Sequence, residues 1–340
     1  MKASFILLLL LFCNVDLSAQ SVFRVVSYNV ENLFDCRHDS LKNDEEFLPG
    51  SLRAWHYGRY KTKINQIAKV ITAIGEWTPP ALVGLCEVEN ERVMNDLAEY
   101  SPLKECGYRY VMTDSPDERG IDVALLYQRG DFRLLQSRSI RIHFKEKGRR
   151  PTRDILHVTG LISTSDSLDV FVCHMPSRSG GEKESEPARL FAASVLRQTV
   201  DSLFAVRRHP KILIMGDFND YPHNAAISKV LAANEPVDSI CPCKLYNLMA
   251  DKEKDSSIGS YKYQGEWGIL DQLIVSGSLL LNKDSFHTSE ADARICRFPF
   301  LLERDKKHFG YQPFRTYYGM KYRGGYSDHL PIVLDFRLPE

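Results

Sequence analysis

The 340 residues contain no Cys-x-x-Cys pair, no Gly-x-Ser-x-Gly elbow, no Gly/Ser- or Pro-rich linker and no internal repeat. The first absence argues against a structural zinc site, the second against a serine hydrolase, and the last two against a multi-domain string or a solenoid. Nor is there an excess charge: Lys and Arg number 44, as do Asp and Glu. No global field therefore draws the chain to nucleic acid or anionic lipid, although a local basic surface stays open. Beyond the N-terminal leader, no apolar run has the length of a membrane span.

What is present begins with MKASFILLLLLFCNVDLSAQ. A lysine, a short leucine-rich run and the small residues Ser18 and Ala19 read as a secretory signal over residues 1–19, with the mature chain starting near Gln20 and exported to the periplasm or medium. Cys13 competes as a lipid-attachment cysteine, but bulky Phe12 before it fits such a site poorly. Without Cys13 seven cysteines remain, an odd set, so at least one thiol is unpaired within a monomer. A monomer with no stable protein partner is expected.

Apolar, β-branched-rich runs recur at Val22, Ala81, Tyr108, Val123, Leu156, Leu168, Lys211, Gly268 and Pro331. Several are apolar at successive positions, the pattern of strands covered on both sides. Ile64, Ile67, Ile71 and Ile74 mark one face of a helix over about Lys61–Trp77, and a second helix is expected over Pro187–Arg207 with the proline in its first turn. Strands close in sequence (108–128 and 156–174) are expected to pair antiparallel, and strands joined through helices imply sheets covered by helices. The fold class is α/β with much antiparallel pairing, in a single domain over residues 20–340.

Polar residues stand at the ends of these runs: Asn29 and Glu31 in SYNVENLFD, Glu87 in GLCEVEN, Asp114 in MTDSP, His174 in VCHMPSRSGG, Asp217 and Asn219 in MGDFND, Asp271 in GILDQLIVS, and Asp328 with His329 in GGYSDHLP. One acidic strand end is ordinary turn chemistry. Acids, amides and histidines at so many ends suggest a shared rim. Hard carboxylate and amide oxygens suit Mg2+, Mn2+ or Ca2+, and Mg2+ typically leaves positions for water and substrate phosphate. The two histidines add groups that titrate near neutrality.

These motifs, in this order over nearly the whole mature chain, resemble the endonuclease/exonuclease/phosphatase superfamily of pancreatic-type deoxyribonucleases, in an exported, bacterial-type form. The resemblance implies two packed, largely antiparallel mixed sheets flanked by helices, a four-layer α/β/β/α sandwich with the site at one end, and metal-dependent hydrolysis of phosphate esters. By position, Glu87 is similar to the principal metal ligand, with Asn29, Glu31 and Asp328 around it. Asp217 and Asn219 are similar to the pair that orients the nucleophile and holds the phosphate. Asp271 would orient His329 as general base, and His174 would contact the phosphate or donate a proton. Asp114 is matched to the carboxylate that supports His174, and Arg153 to a phosphate-binding arginine.

The expected activity is that of a secreted, Mg2+-, Mn2+- or Ca2+-dependent phosphodiesterase, an endonuclease with nucleic acid as substrate. The same residues serve phosphatases of inositol phosphates and phospholipase C-like sphingomyelinases, so the catalytic set does not separate these. A binding module that has lost catalysis is disfavoured, because both histidines, both aspartates of GDFND and Glu87 are intact. Mixtures of Lys and Arg with aromatic residues at 51–63 and 304–323 suit a charged backbone with stacked bases, and no apolar membrane hairpin stands out.

Overall fold

The structure, a computed structural model, describes residues 22–146, 148–163, 166–237, 239–281 and 286–338. The expected signal segment 1–19, with Cys13, lies outside them. Strands β1 (Val22–Leu33), β2 (Leu82–Val88), β3 (Arg109–Met112) and β4 (Asp122–Tyr127) join Ala293–Ile295 and Ile332–Arg337 in a six-stranded sheet. Strands β5 (Phe132–Ile140), β6 (Ile155–Ile162), β7 (Ser167–His174) and β8 (Ile212–Asp217) join Asp271–Ser276, Leu245–Asn247 and Ala233–Asn234 in a seven-stranded sheet.

Neighbours in sequence pair antiparallel, as expected: β3 with β4, and β6 with β7. The parallel pairs β1–β2 and β7–β8 are each bridged by a helix, α1 (Tyr57–Gly75) and α3 (Glu182–Val206), as a crossover requires. Alternation within single strands builds three apolar layers. Val25, Leu82, Leu125 and Leu334 face the other sheet, where Val172, Met215 and Leu273 meet them. Val26 and Val83 face outward onto Ile64, Ile67 and Ile71 of α1 and Val93 and Leu97 of α2 (Glu91–Glu99). Phe171, Ile212 and Ile214 face Ala192, Leu196 and Val200 of α3. The result is an α/β/β/α sandwich, in which each fully buried Ile, Leu or Val contributes about 1.5–3 kcal/mol through removal of apolar surface from water.

Both helices differ from expectation at their N-termini. α1 starts at Tyr57, with the His56 ring accepting a bond from the Gly58 amide, so the helix runs a turn further back than the isoleucine stripe shows. α3 starts at Glu182, which leaves Pro187 inside the helix. Glu182 and Glu184 complement the helix dipole, and the Ser185 hydroxyl bonds the Gly181 carbonyl, so the added first turn offsets the missing proline N–H. Among the described residues the seven cysteines are all free thiols.

Candidate active site

The seven-stranded sheet places three expected site residues in one row. Asp217 is in register with His174 across the parallel β7–β8 pair and with Asp271 across the antiparallel pair on its other side. Side chains in one register row share a face, so the three strand ends converge. Gly216 allows this approach: a Cβ there would lie 1.9 Å from the Cys173 carbonyl oxygen, and its φ is 134°. That is why the apolar run Lys211–Met215 ends on glycine before its acid.

The Asp217 carboxylate is the hub. Its Oδ2 accepts from Asn29 Nδ2 at 3.0 Å and lies 3.6 Å from His174 Nε2 and 3.8 Å from His329 Nε2. Its Oδ1 accepts from the Asn219 amide at 2.8 Å. His329 Nδ1–H donates to Asp271 Oδ2 at 2.7 Å, and the ring packs against Tyr261 at 4.8 Å. The Ser327 hydroxyl donates to the Asn29 carbonyl and accepts from the His329 amide, tying the six-stranded sheet to the histidine loop.

Glu87 enters from the other sheet at a register shift between Cys86 and Val88, with φ 67°. Its Oε1 accepts from Asn29 Nδ2 at 3.3 Å and lies 3.8 Å from His174 Nε2, while the Asn32 amide donates to Oε2 at 2.9 Å. One amide group thus bridges Glu87 and Asp217. The Asn29 oxygen is committed to the Glu31 amide at 3.0 Å, so Asn29 meets the carboxylates as a donor.

Glu31 and Asp328 form a separate ion cluster. Arg315 Nη2 donates to Asp328 Oδ2 at 2.7 Å, and the Thr316 amide donates to Glu31 Oε2 at 2.6 Å, with Arg315 Nε 3.5 Å from Glu31 Oε1. Fully buried Lys63 donates to the Thr316 hydroxyl and the Tyr326 carbonyl beneath it. Tyr261 was missed from the sequence, while Lys63 and Arg315 belong to the segments 51–63 and 304–323 expected to grip nucleic acid and instead support this cluster. Lys63 alone had a local signal, since it shares the buried stripe of α1 with Ile67, Val70 and Ile74.

Two further expected residues take other partners in this structure. Asp114 is exposed and its side chain makes no bond to His174, whose Nδ1 is buried without a hydrogen-bond partner among the described residues. The carboxylates near that ring are Glu87 and Asp217 instead. Arg153 is buried and spent on Asp117 Oδ2 at 3.3 Å and the Met175 carbonyl at 2.6 Å. That carbonyl also accepts from Asn219 Nδ2 at 3.1 Å, so Arg153 lies one carbonyl away from the hub.

The charge states also run opposite to the expected roles. Burial, with Arg153 and Arg119 nearby, drives the His174 imidazole well below its ordinary pKa. Burial opposes charge on His329 too, but Asp271 and Asp217 outweigh it and raise that pKa well above the ordinary value. Without a cation, His174 is the neutral ring and His329 the charged one. Burial pushes the Asp217 carboxyl up to about 7, against the lowering effect of His329. A buried acid in that condition, beside a half-buried glutamate, fits a divalent cation.

Among the described residues Asp217, Asp271 and His329 have ligand atoms within 4.8 Å of one another. Of that trio His329 Nδ1 is committed to Asp271 Oδ2, and half-buried Glu87, bridged to Asp217 through Asn29, is the further carboxylate that could join Asp217 on a cation.

The segments 51–63 and 304–323 pack on each other, and most of their cations serve that packing. The Arg59 guanidinium lies over Tyr322 at 4.3 Å, Arg53 pairs with Glu46, and Arg323 pairs with Glu303. Lys306, Lys307 and Lys321 are exposed, and their ammonium groups make no bond or ion pair among the described residues. Phe309, at a hairpin tip beside Lys306 and Lys307, is fully exposed, and Tyr318 and Met320 are exposed on the next tip. A cavity of about 340 Å³ lined by Tyr261, Tyr263, Tyr318 and Arg315 opens beside Asp328. The apolar tip is a further departure from the sequence reading.

The sequence model of the Endonuclease/Exonuclease/phosphatase family matches residues 24–337. No curated protein matches the chain. Among solved structures it is similar to a family protein from Bacteroides thetaiotaomicron (16% identity, TM-score 0.56, 94% of this chain and 95% of that one). It is also similar to the human Nocturnin catalytic domain with bound sulfate anion (17%, 0.53, 93% and 94%). A third similar structure is D. rerio TDP2 complexed with single strand DNA product (12%, 0.54, 93% and 99%). At these identities the likeness shows the fold.

Proposed function

The chain belongs to the endonuclease/exonuclease/phosphatase family, whose members are metal-dependent phosphodiesterases or phosphatases, and we propose that it is an exported nuclease hydrolysing nucleic-acid phosphodiester bonds. The observation that carries the reading is the hub: Asp217 with Asn29, His174 and His329 around one oxygen edge, and Glu87 joined to it through Asn29. Glu87 and Asp217 would hold a divalent cation, Mg2+ or Mn2+ by their hard oxygens, with Ca2+ possible.

When bound, that cation would polarise a phosphate oxygen, stabilise the leaving oxygen and offset the Asp217 field that keeps His329 protonated. Asp271 orients His329, so that once neutral the ring presents Nε2 to an attacking water. Asp217 and Asn219 align that water with the phosphate. Neutral His174 can donate an Nε2–H bond to a phosphate oxygen in one tautomer.

Nucleic acid is favoured over compact esters by the tyrosine-lined cavity beside Asp328 and by the single strand DNA product bound to D. rerio TDP2. The exposed Phe309 hairpin, flanked by lysines, favours a second reading, a phospholipid-headgroup hydrolase that docks on anionic bilayers. The test is the mature chain with Mg2+, Mn2+ or Ca2+ and five substrates side by side: plasmid DNA, single-stranded DNA, RNA, sphingomyelin vesicles and inositol phosphates. Cleavage of nucleic acid that stops in chelator is expected. Activity confined to vesicles or inositol phosphates would replace the nuclease reading, and full activity in chelator would end the metal role.

A further inference from the structure

Cys241, Pro242, Cys243 and Lys244 form an exposed turn in the seven-stranded sheet, at the end away from the hub. The strand Leu245–Asn247 that follows pairs Leu245 with Ser276, which stands about 17 Å along its own strand from Asp271. The other five cysteines are chemically quiet. Cys86, Cys173 and Cys296 are buried, Cys36 and Cys106 are half-buried, and burial raises the pKa of all five thiols, to about 11 for Cys36 and Cys296. A thiol attacks as its thiolate, so these five are poor nucleophiles.

The backbone holds Cys241 and Cys243 at a short, fixed separation. The Lys244 amide donates to the Cys241 carbonyl at 3.1 Å, closing a β-turn with Pro242 at its second position, where the ring fixes φ. The Cys241 amide donates to the Tyr246 hydroxyl at 2.7 Å, the Gly277 amide to the Lys244 carbonyl at 2.9 Å and the Ser278 amide to the Pro242 carbonyl at 3.3 Å. The turn is thus pinned at both ends. Two peptide steps span at most about 7 Å and the turn shortens that, so the two Cα atoms fall within the roughly 4.4–6.8 Å that a disulfide bridges. The Lys244 ammonium, which makes no bond or ion pair among the described residues, follows Cys243 directly and favours a thiolate there.

We propose that Cys241 and Cys243 are a redox-active dithiol that closes to a disulfide within the turn by exchange with a low-molecular-mass disulfide. The thiolate of one cysteine attacks a sulfur of R–S–S–R, forming a mixed disulfide and releasing one R–S⁻. The thiolate of the other attacks the cysteine sulfur of that mixed disulfide, forming the Cys241–Cys243 bond and releasing the second R–S⁻. The two released thiolates take up the two protons that the cysteines gave up, so one dithiol is oxidised and one disulfide is reduced. The bond formed is exposed and closes a very small ring, features of readily reduced disulfides, so excess free thiol reverses the step. The site is separate from the hub and does not depend on the phosphodiesterase reading.

The mature chain, Cys241→Ser and Cys243→Ser are equilibrated with glutathione at rising ratios of its oxidised to its reduced form. Each sample is quenched with an alkylating agent and weighed intact and after proteolysis. In the wild type, alkylation should fall by two of the seven thiols in a single transition, with the Cys241–Cys243 peptide lighter by two hydrogens and no glutathione retained. Each single variant should instead keep one glutathione on its remaining turn cysteine, because the resolving thiol is gone. Glutathione retained on Cys241 or Cys243 of the wild type would show two independent surface thiols and overturn the proposal. So would a wild-type pair that stays fully alkylated at every ratio.

Discussion

Asp217 organises its site through one carboxylate edge, since a single oxygen has an amide and two imidazoles around it. Asp217→Asn keeps the shape and a hydrogen-bonding group but removes the charge, so turnover should fall about a hundredfold or more with the thermal transition retained. A variant that unfolds instead would mark the residue as structural. Asp122 offers a cleaner pH test because it lies off the hub. It accepts from the Thr113 hydroxyl at 2.5 Å and the Ser115 amide at 3.0 Å, and burial lifts its pKa from 3.8 to about 6 despite those bonds. A raised folded pKa stabilises below the unfolded value, and that stability is lost as pH rises through the folded one. Between pH 4 and 7 the wild type should therefore lose up to about 3 kcal/mol relative to Asp122→Asn in denaturant titrations. Parallel curves for the two proteins would refute this.

The strand that delivers Asp217 depends on the close backbone contact at Gly216. Gly216→Ala pushes a Cβ into the Cys173 carbonyl at 1.9 Å and strains a φ of 134°, so a loss of about 3 kcal/mol or more is expected by calorimetry. Gly50→Ala, with nothing within 4 Å, is the control and should change stability by less than about 0.5 kcal/mol. An equal effect at both positions would remove the register argument. The convergence of His174, Asp217 and Asp271 was legible because each is the polar residue at one end of an apolar run, and strand ends in register share a rim. Helix starts were less legible, since the acidic turn before Pro187 carries no apolar periodicity. The Arg315 cluster was not legible at all, because Arg315 and Glu31 lie 284 residues apart and meet only after the sheets form. Asp114 was misplaced for a related reason. Its motif resembles a partner for His174, but the loop after β3 leaves the carboxylate exposed. The order of histidine protonation likewise depends on Arg153 and Arg119, which other loops bring to His174.

For the whole molecule, net charge is zero, so any grip on a polyanion must come from local patches and not from long-range steering. Composition pointed to segments 51–63 and 304–323, but Arg53, Arg59, Lys63, Arg315 and Arg323 are bonded within the protein. The cations left for a nucleic acid on that face, among the described residues, are Arg304, Lys306, Lys307 and Lys321, with Tyr263 and Tyr318 exposed as stacking surfaces. Each phosphate contact releases counterions, so the logarithm of affinity should fall with the logarithm of salt by about 0.7 per contact for a single strand. Replacing the three lysines with glutamine should lower that slope by up to about 2 and weaken cleavage of long single strands. Hydrolysis of a small chromogenic phosphodiester should keep its rate, since none of the three touches the hub. Loss on both substrates would place the hairpins in support of the catalytic centre. If the slope is unchanged but binding to anionic vesicles falls, with a further loss on Phe309→Ala, the face is a bilayer contact and the phospholipid reading gains over the nuclease.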